Sequence, residues 1–376
     1  MLSLDNNTKA FLELVRAGLW EKKARLSQFG RVDYEEVMRL AEEQSVVGLV
    51  AAGIDGIKKL REDGFAIPIE IKLQFIGQSL QIEQRNQAMN RFISELVEKM
   101  REKGIYTLLV KGQGIAQCYE KPLWRSSGDV DLLLSNDNYE KAKEFLVPLS
   151  SFQKVEGRYS KHLGLNIPDS LGNQSGIDQT EPWYVELHCT LRTGLSGRVD
   201  KVVDEVQRDV FYGGEVRSWM NGKTMVFIPS PDNDVFFVFT HFIKHFYKEG
   251  MNLRQVCDWC RLLWTYRNSL NHGLLEKRIR KAGLMSEWKA FAALAVGYLG
   301  MPVEAMPLYG ARGKMDDVRW KKKATRIINH ISNDKPYGKF RDIWTIAKIF
   351  PLNTLIFTPA IFFNVNWLKV KERLFN

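Results

Sequence analysis

One short stretch, residues 105 to 134, constrains this chain more than any other. The apolar run from Ile105 to Val110 is rich in β-forming residues and is short enough to be a buried strand. The turn Lys111-Gly112-Gln113-Gly114 ends this run, and a second apolar run begins after Asp129-Val130-Asp131. This pattern predicts two core strands that are joined by a glycine-opened turn and a short helix.

The Asp-Val-Asp sequence predicts a metal site at the start of the second strand. Side chains at positions i and i+2 of a strand share one face, so Asp129 and Asp131 should point together. Two carboxylates this close raise each other's pKa unless a cation lies between them. Mg²⁺ binds a few carboxylates together with phosphate oxygens. A solvated strand edge would explain a bare Asp-x-Asp equally simply, so the motif alone leaves both interpretations open.

The order of strand, glycine turn, short helix and Asp-x-Asp strand resembles the DNA polymerase β-like nucleotidyltransferase superfamily. More narrowly, it resembles a bacterial family described as uncharacterised nucleotidyltransferases. The residues that carry the resemblance are Val110-Lys111-Gly112, Tyr119, Arg125, Asp129-Val130-Asp131-Leu132-Leu133 and Tyr184-Val185-Glu186-Leu187-His188. The match is specific between residues 105 and 191 and looser over residues 30 to 270. One departure is Gln113, because the superfamily usually has Ser or Gly at that position.

The resemblance implies a reaction and a set of site residues. The expected reaction transfers a nucleoside monophosphate from a nucleoside triphosphate to a hydroxyl-bearing acceptor, with two Mg²⁺ ions as cofactors. The expected catalytic residues and metal ligands are three carboxylates, Asp129, Asp131 and Glu186. The expected nucleotide- and cofactor-binding residues are the cationic groups and the turn, namely Lys111, Gly112, Gln113, Arg125 and His188.

Several alternatives stay open at this level. Lys111 and Arg125 could be ordinary surface charges, and His188 could be a structural histidine rather than a base or a partner of the metal ligands. The chain could also be a non-catalytic nucleotide- or metal-binding regulator, or an RNA-tailing enzyme. The acceptor is expected to be a small molecule, a glycan or a protein, because no base-stacking aromatic strand or recognisable nucleic-acid motif occurs.

The pattern over the whole chain predicts an α+β fold with a small mixed sheet between two helical regions. The expected segments are an N-terminal helical region (1–104), a nucleotidyltransferase core (105–229) and a C-terminal helical domain (230–376). Three local signals support the boundaries. Asp33 with Glu36 predicts a helix start, Asn221-Gly222 predicts a hairpin turn, and Ser230-Pro231-Asp232 predicts another helix start.

Composition bounds the partners and the compartment. The chain has 376 residues and a net charge of +10, which favours anionic partners such as nucleotides, nucleic acids or a membrane surface. Four unevenly spaced cysteines favour reduced thiols over a disulfide framework. The first thirty residues lack the apolar region of a signal peptide. A cytoplasmic location is therefore expected.

Four further features have two interpretations each. His241 and His245 share a helix face but lack an apparent third metal ligand, and Cys257 and Cys260 are interpreted as core residues rather than a redox pair. The basic run 312–326 is either a solvated helix face or a surface for an anionic partner. Residues 349–368 carry no charge, but their prolines and asparagines argue against a transmembrane span, so peripheral membrane contact stays open.

Overall fold

The chain folds around one mixed sheet in a computed structural model that describes residues 4–56, 67–154, 162–169, 181–248, 250–310, 314–332 and 339–359. The sheet has seven strands: β1 (Leu108–Val110), β2 (Asp129–Leu133), β3 (Phe152–Lys154), β4 (His162–Ile167), β5 (Trp183–His188), β6 (Val216–Asn221) and β7 (Thr224–Pro229). The predicted α+β class is confirmed. The sequence also predicts a strand from Phe152 to Tyr159 and a loop over residues 168–178, but residues 155–159 and most of that loop lie outside the described residues.

Helices precede, interrupt and follow the strands. They are α1 (Asn6–Leu19), α2 (Tyr34–Glu43), α3 (Val47–Asp55), α4 (Ile69–Glu102), α5 (Gly112–Ala116), α6 (Asn136–Leu146), α7 (Gly197–Tyr212), α8 (Pro231–Lys248), α9 (Leu253–Thr265), α10 (His272–Ala282), α11 (Met285–Gly297), α12 (Lys314–Ser332) and α13 (Lys339–Ile349). Residues 351–359 are also helical. Among the described residues, no helix combines the length and the apolar character needed to cross a bilayer.

The strand order places β2 and β5 side by side at the centre of the sheet. The order is β3-β4-β5-β2-β1-β7-β6, with β2 parallel to β5 and antiparallel to β1. In this register Asp131 lies opposite Glu186 of β5 on one side and Val110 of β1 on the other. Residues that are 55 positions apart in the chain therefore become direct neighbours, because adjacent strands present paired residues to the same face.

The two faces of the sheet have different roles. Val130 and Leu132 of β2 are buried in a cluster that also contains residues of α4 and α6, such as Phe92. Alternation along β2 sends Asp129 and Asp131 to the opposite face. Residues of that opposite face pack in a second cluster with the helices that follow the sheet. The carboxylates therefore lie where the sheet meets the C-terminal helices.

The N-terminal and C-terminal helices share one hydrophobic core. Phe11 of α1 and Trp259 of α9 belong to the same buried cluster. The buried side chain of Gln44 joins the two regions, because its Oε1 accepts from the Leu253 amide at 2.8 Å and its Nε2 donates to the Ile331 carbonyl at 3.0 Å. The division into three segments stays a prediction, and the first and third segments are in contact.

Local signals in the sequence match the ends of several elements. Asp33 is the N-cap of α2, and its carboxylate accepts from the amides of Glu35 and Glu36 at 3.0 and 3.4 Å. The predicted hairpin is β6-β7, and Gly222 in its turn has φ +63°. What the sequence pattern did not predict is that β7 pairs in parallel with β1. The hairpin thereby becomes part of the central sheet.

Candidate active site

The turn after β1 has a backbone conformation that non-glycine residues rarely adopt. Lys111 has φ 62° and ψ −149°, and Gly112 has φ 46°. A side chain in this region costs about 1 to 3 kcal/mol, so the surrounding structure must hold it there. What holds Lys111 is an ion pair, because its ammonium donates to Oδ1 of Asp131 at 2.7 Å. The strained turn therefore directs a lysine onto the central strand.

The acidic residues of β2 and β5 meet on one face of the sheet, and His188 joins them. Nε2 of His188 lies 2.8 Å from Oδ1 of Asp131 and 3.3 Å from Oε2 of Glu186. One donor atom from each of these three residues lies within 4.8 Å of the others. Asp129 lies two residues before Asp131 on the same strand face. Asp129, Asp131, Glu186, His188 and Lys111 are called the carboxylate cluster below.

The charges of the carboxylate cluster are strongly coupled. The negative charge of Asp131, together with burial, raises the pKa of Asp129 above its ordinary value. Burial acts to raise the pKa of Asp131 as well, but the Lys111 ammonium and the hydrogen bond with His188 hold that pKa well below its usual range. Burial acts to raise the pKa of Glu186 too, but the hydrogen bond and the charge of His188, together with the charge of Lys111, lower it.

The two cationic groups of the cluster are stabilised in their charged forms. Burial acts to lower the pKa of Lys111 and of His188, but the neighbouring carboxylates raise both pKa values. Both cations lie on the same oxygen, Oδ1 of Asp131. Neither cation makes a hydrogen bond to Asp129 among the described contacts, and the charge of Asp131 raises the pKa of Asp129 although Lys111 acts to lower it, so the negative charge of the cluster is incompletely balanced.

The donor set of the cluster fits a divalent cation. Carboxylate oxygens of Asp131 and Glu186 suit Mg²⁺, Ca²⁺ and Mn²⁺, and the imidazole nitrogen of His188 suits transition metals once its proton is displaced. The excess negative charge at Asp129 points the same way, because a cation between the carboxylates would remove the repulsion that raises its pKa. The donor chemistry supports a metal ion without selecting one.

Arg125 lies in a buried ion pair with Asp258 of α9. Its Nε donates to Oδ1 of Asp258 and its Nη2 to Oδ2, both at 2.7 Å, while Nη1 donates to the Ser127 hydroxyl at 2.7 Å. The Tyr119 hydroxyl donates to the same Oδ1 at 2.8 Å. Each guanidinium nitrogen thus has a protein partner. Phosphate binding by Arg125 stays a prediction, but this arrangement joins the loop before β2 to α9.

Gln113 faces α4 rather than the carboxylate cluster. Its side chain is buried, and Nε2 donates to Oδ1 of Asn86 at 2.7 Å and contacts the sulfur of Met89. Asn86 in turn donates from Nδ2 to the backbone carbonyls of Leu123 and Arg125, each at 2.7 Å. The residue that departs from the superfamily pattern therefore connects the turn after β1 to the loop before β2 through the long helix.

Two basic side chains of α8 and α9, His241 and Arg254, lie close to the cluster and were not assigned to it from the sequence. Nε2 of His241 lies 3.0 Å from Nε2 of His245, and burial, followed by Lys111 and His245, holds the pKa of His241 well below its usual value. The Arg254 guanidinium lies 3.9 Å from Oδ2 of Asp258, and burial and Arg125 lower its pKa. Among the described residues its Nε has no hydrogen-bond partner.

Arg254 lies one turn before Asp258 on α9, a spacing in the sequence that indicates an i, i+4 ion pair. That pair exists only at 3.9 Å, because Arg125 occupies both oxygens of Asp258 more closely. The negative charge of Asp129 acts on Arg254 as well. Arg254 therefore supplies positive charge beside the carboxylate cluster that no close ion pair with Asp258 neutralises.

The classification of the chain follows from a family comparison. The model of a family described as "Uncharacterised nucleotidyltransferase" matches residues 30–300. The chain belongs to this family. The resemblance that the motifs between residues 105 and 191 carried is thereby confirmed, and every member of the carboxylate cluster lies within the matched range.

The chain was also compared with solved structures and with curated proteins. A crystal structure of an antigenic nucleotidyltransferase-like protein from Paracoccidioides brasiliensis is similar over 56% of this chain and 92% of that chain, with 13% identity and a TM-score of 0.33. No curated protein matches the chain.

Proposed function

We propose that this protein transfers a nucleoside monophosphate from a nucleoside triphosphate to a hydroxyl group of an acceptor. The observation that carries the proposal is the register of the two central strands, which places Glu186 beside Asp131 and on the face of Asp129. Membership of the family supports the reaction class. The acceptor is proposed to be a small molecule, a glycan or a protein.

In the proposed reaction the acceptor oxygen forms a bond to the α-phosphorus, the bond from that phosphorus to the bridging oxygen breaks, and pyrophosphate leaves. Asp129, Asp131 and Glu186 would hold the divalent cations, which neutralise phosphate charge and lower the pKa of the attacking hydroxyl. His188 holds Asp131 and Glu186 in position through its two contacts. The proton of the hydroxyl passes to a base or to water.

Positive charge for the triphosphate comes from Lys111 and Arg254 in this proposal. Lys111 reaches the cluster from the strained turn, and Gly112 beside it leaves the backbone accessible because a Cβ there would meet only one atom within 4 Å, at 3.6 Å. Arg254 faces the cluster from α9 with an unpartnered Nε among the described residues. An arginine fork and a lysine point charge are the usual ligands of phosphate oxygens.

A second candidate function is a non-catalytic nucleotide- or metal-binding module. The observation that favours it is that Lys111 and His188 already compensate one oxygen of Asp131 at 2.7 and 2.8 Å. Because its own cations already neutralise part of its charge, the site could bind a ligand without turnover. The two functions differ in one measurable property, which is the release of pyrophosphate.

The decisive experiment incubates the protein with Mg²⁺ or Mn²⁺, α-labelled nucleoside triphosphates and candidate acceptors, including an extract of the source cells. Labelled acceptor and pyrophosphate are expected with the wild type. Asp129→Asn should lower the rate at least about 100-fold, because it removes a ligand charge. Asp137→Asn is the matched control, since that exposed carboxylate lies on the helix that follows the same strand. Nucleotide binding without any pyrophosphate release would favour the module.

An RNA acceptor is tested separately by a salt titration. Binding to phosphates releases counterions, so nonspecific RNA binding should weaken steeply as salt rises. We expect weak RNA binding that is lost at moderate salt. Tight RNA binding that survives moderate salt, with loss of turnover in the triple variant Lys321→Glu, Lys322→Glu and Lys323→Glu, would make RNA the acceptor.

A further inference from the structure

We propose that the last described part of the chain docks on an anionic membrane surface. The surface consists of Trp344, Leu352, Leu355 and Ile356 together with Lys322, Arg326 and Lys348 of α12 and α13, and it is called the C-terminal face below. It is distinct from the carboxylate cluster and does not depend on the proposed reaction.

The apolar part of the C-terminal face is exposed to an unusual degree. The exposed fractions are 65% for Trp344, 69% for Leu352, 73% for Leu355 and 48% for Ile356. Leu352, Leu355 and Ile356 are spaced i, i+3 and i+4 and so lie on one side of the helical residues 351–359. Large apolar side chains grouped on one face mark an interaction site rather than a solvated surface.

The other side of the same segment is fixed to the protein. Thr354 and Phe357 are 5% and 2% exposed. Asn353 donates from Nδ2 to the Gly283 carbonyl at 3.1 Å and to Oε1 of Glu287 at 2.7 Å. These contacts hold residues 351–359 against α11, so the exposed leucines are presented by an anchored element.

Basic residues of α12 and α13 lie beside Trp344 and where the two helices meet. Arg326 of α12 donates to the backbone carbonyl of Lys348 at 2.9 Å, and the Lys348 ammonium lies 5.5 Å from the centre of the Trp344 ring. Lys322 and Arg326 of α12 are exposed. Lysine, arginine and tryptophan beside exposed aliphatic residues are the composition of an interfacial membrane-binding face.

The charge of the C-terminal face selects its partner. A second copy of this chain would bring the same basic residues together, and like charges would oppose that contact. A nucleic acid would use the basic residues but not the leucines, because aliphatic side chains do not stack bases. Anionic lipids satisfy both parts, since the acyl region accepts the apolar side chains and each nearby Lys or Arg contributes about 1 kcal/mol at the headgroups.

The test is co-sedimentation of the full chain with vesicles, either of phosphatidylcholine alone or of phosphatidylcholine with 30% phosphatidylglycerol. Binding to the anionic vesicles is expected, and it should weaken with salt. The double variant Leu352→Ser and Leu355→Ser should lower the partition coefficient at least about tenfold, since each buried leucine contributes more than about 1.4 kcal/mol. The matched control is Ile69→Ser with Leu73→Ser, because those residues are 59% and 61% exposed on α4.

A charge variant tests the second half of the proposal. Lys322→Glu with Lys348→Glu should lower binding to anionic vesicles and leave binding to neutral vesicles unchanged. All these positions are exposed, so circular dichroism and thermal unfolding should show that the variants are folded. Trp344→Ser is a further single variant that should weaken vesicle binding. The proposal would be overturned if the wild type did not bind vesicles, or if the α4 control variant lost binding equally. It would also be overturned if light scattering showed a dimer that the leucine variant dissociates without affecting vesicle binding.

Discussion

Two groups of buried charges lie against each other in this protein, and they are built differently. One is the carboxylate cluster of β1, β2 and β5. The other, called the arginine network below, consists of Arg125, Asp258 and Tyr119. In the arginine network both oxygens of Asp258 and every nitrogen of Arg125 have hydrogen-bond partners. In the carboxylate cluster two cations lie on one oxygen of Asp131.

The difference is the one expected between a structural group and a ligand site. A buried charge pair with complete hydrogen bonding needs nothing further, and its removal costs stability. A cluster in which carboxylates outnumber the cations carries uncompensated charge, and the raised pKa of Asp129 is its signature. Both groups shift the pKa values of neighbouring residues, so a shifted pKa alone would not distinguish them. The balance of hydrogen-bond donors and acceptors distinguishes the two groups.

The largest expected effect on stability belongs to the arginine network. Asp258→Asn removes the charge that compensates Arg125 and leaves a buried guanidinium unpaired, so we expect the free energy of unfolding to fall by about 3 to 5 kcal/mol. Chemical denaturation measures it. Asp129→Asn is the comparison, and it should change the stability by less than about 1 kcal/mol, because it relieves repulsion from Asp131. Equal destabilisation by the two variants would erase the distinction between the two groups.

The second prediction concerns ligand binding to the carboxylate cluster. A divalent ion at 100 times its dissociation constant stabilises the folded state by about 2.7 kcal/mol, so Mg²⁺ or Mn²⁺ should raise the unfolding temperature and a chelator should reverse the effect. Asp129→Asn and Glu186→Gln should abolish the shift. Tyr119→Phe, which alters only the arginine network, should keep it. A shift that survives in both carboxylate variants would place the ion elsewhere.

A smaller effect is expected from the hydroxyl of Tyr119. It donates to Oδ1 of Asp258 at 2.8 Å in a buried position, and a hydrogen bond to a charged group contributes about 1.5 to 3 kcal/mol. Because Arg125 still compensates Asp258 in Tyr119→Phe, the loss should lie at the lower end, about 1.5 kcal/mol. Denaturant titration at pH 7 measures it. A loss as large as that of Asp258→Asn would mean that the phenol rather than the charge pair holds the network.

The carboxylate cluster was largely predictable from the sequence, and the arginine network was not. Asp129 and Asp131 lie two apart on a strand, so period-2 alternation and the glycine turn before them were sufficient to predict their common face. Glu186 required the family resemblance, because only the parallel pairing of β2 and β5 brings it beside Asp131. Neither the hydrophobic periodicity nor the charge pattern of the sequence predicts that strand pairing.

Arg125 and Gln113 show why the remainder was not predictable. Both lie in the motif region, and the sequence assigned both to the nucleotide. The partner of Arg125 is Asp258, which lies 133 residues later in the chain. The partner of Gln113 is Asn86, which lies 27 residues earlier. Which side of a turn a polar side chain occupies depends on long-range packing, so residue type and spacing cannot decide between a ligand and a buried partner.

Glu287 of α11 gives the smallest test of the same distinction. It is fully buried, its Oε1 accepts from the Tyr247 hydroxyl and from Asn353, each at 2.7 Å, and its Oε2 has no partner among the described residues. Burial raises the pKa of Glu287 above its ordinary value of 4.5. The carboxyl group is therefore only partly satisfied, as in the carboxylate cluster, but a single acid is involved.

The sign of its pH dependence follows from that raised pKa. A carboxyl whose pKa is higher in the folded than in the unfolded state contributes stability below the unfolded value of 4.5, and this contribution is lost as pH rises through the folded value. Glu287→Gln should remove this loss. Between pH 4.5 and pH 7, the free energy of unfolding of the variant should therefore rise by about 1 kcal/mol relative to that of the wild type. This pH range ends below the pKa of the neighbouring Lys323, which burial lowers to about 8, so Lys323 stays charged throughout. Parallel stability curves for the two proteins over this range would show that Glu287 is as fully compensated as Asp258.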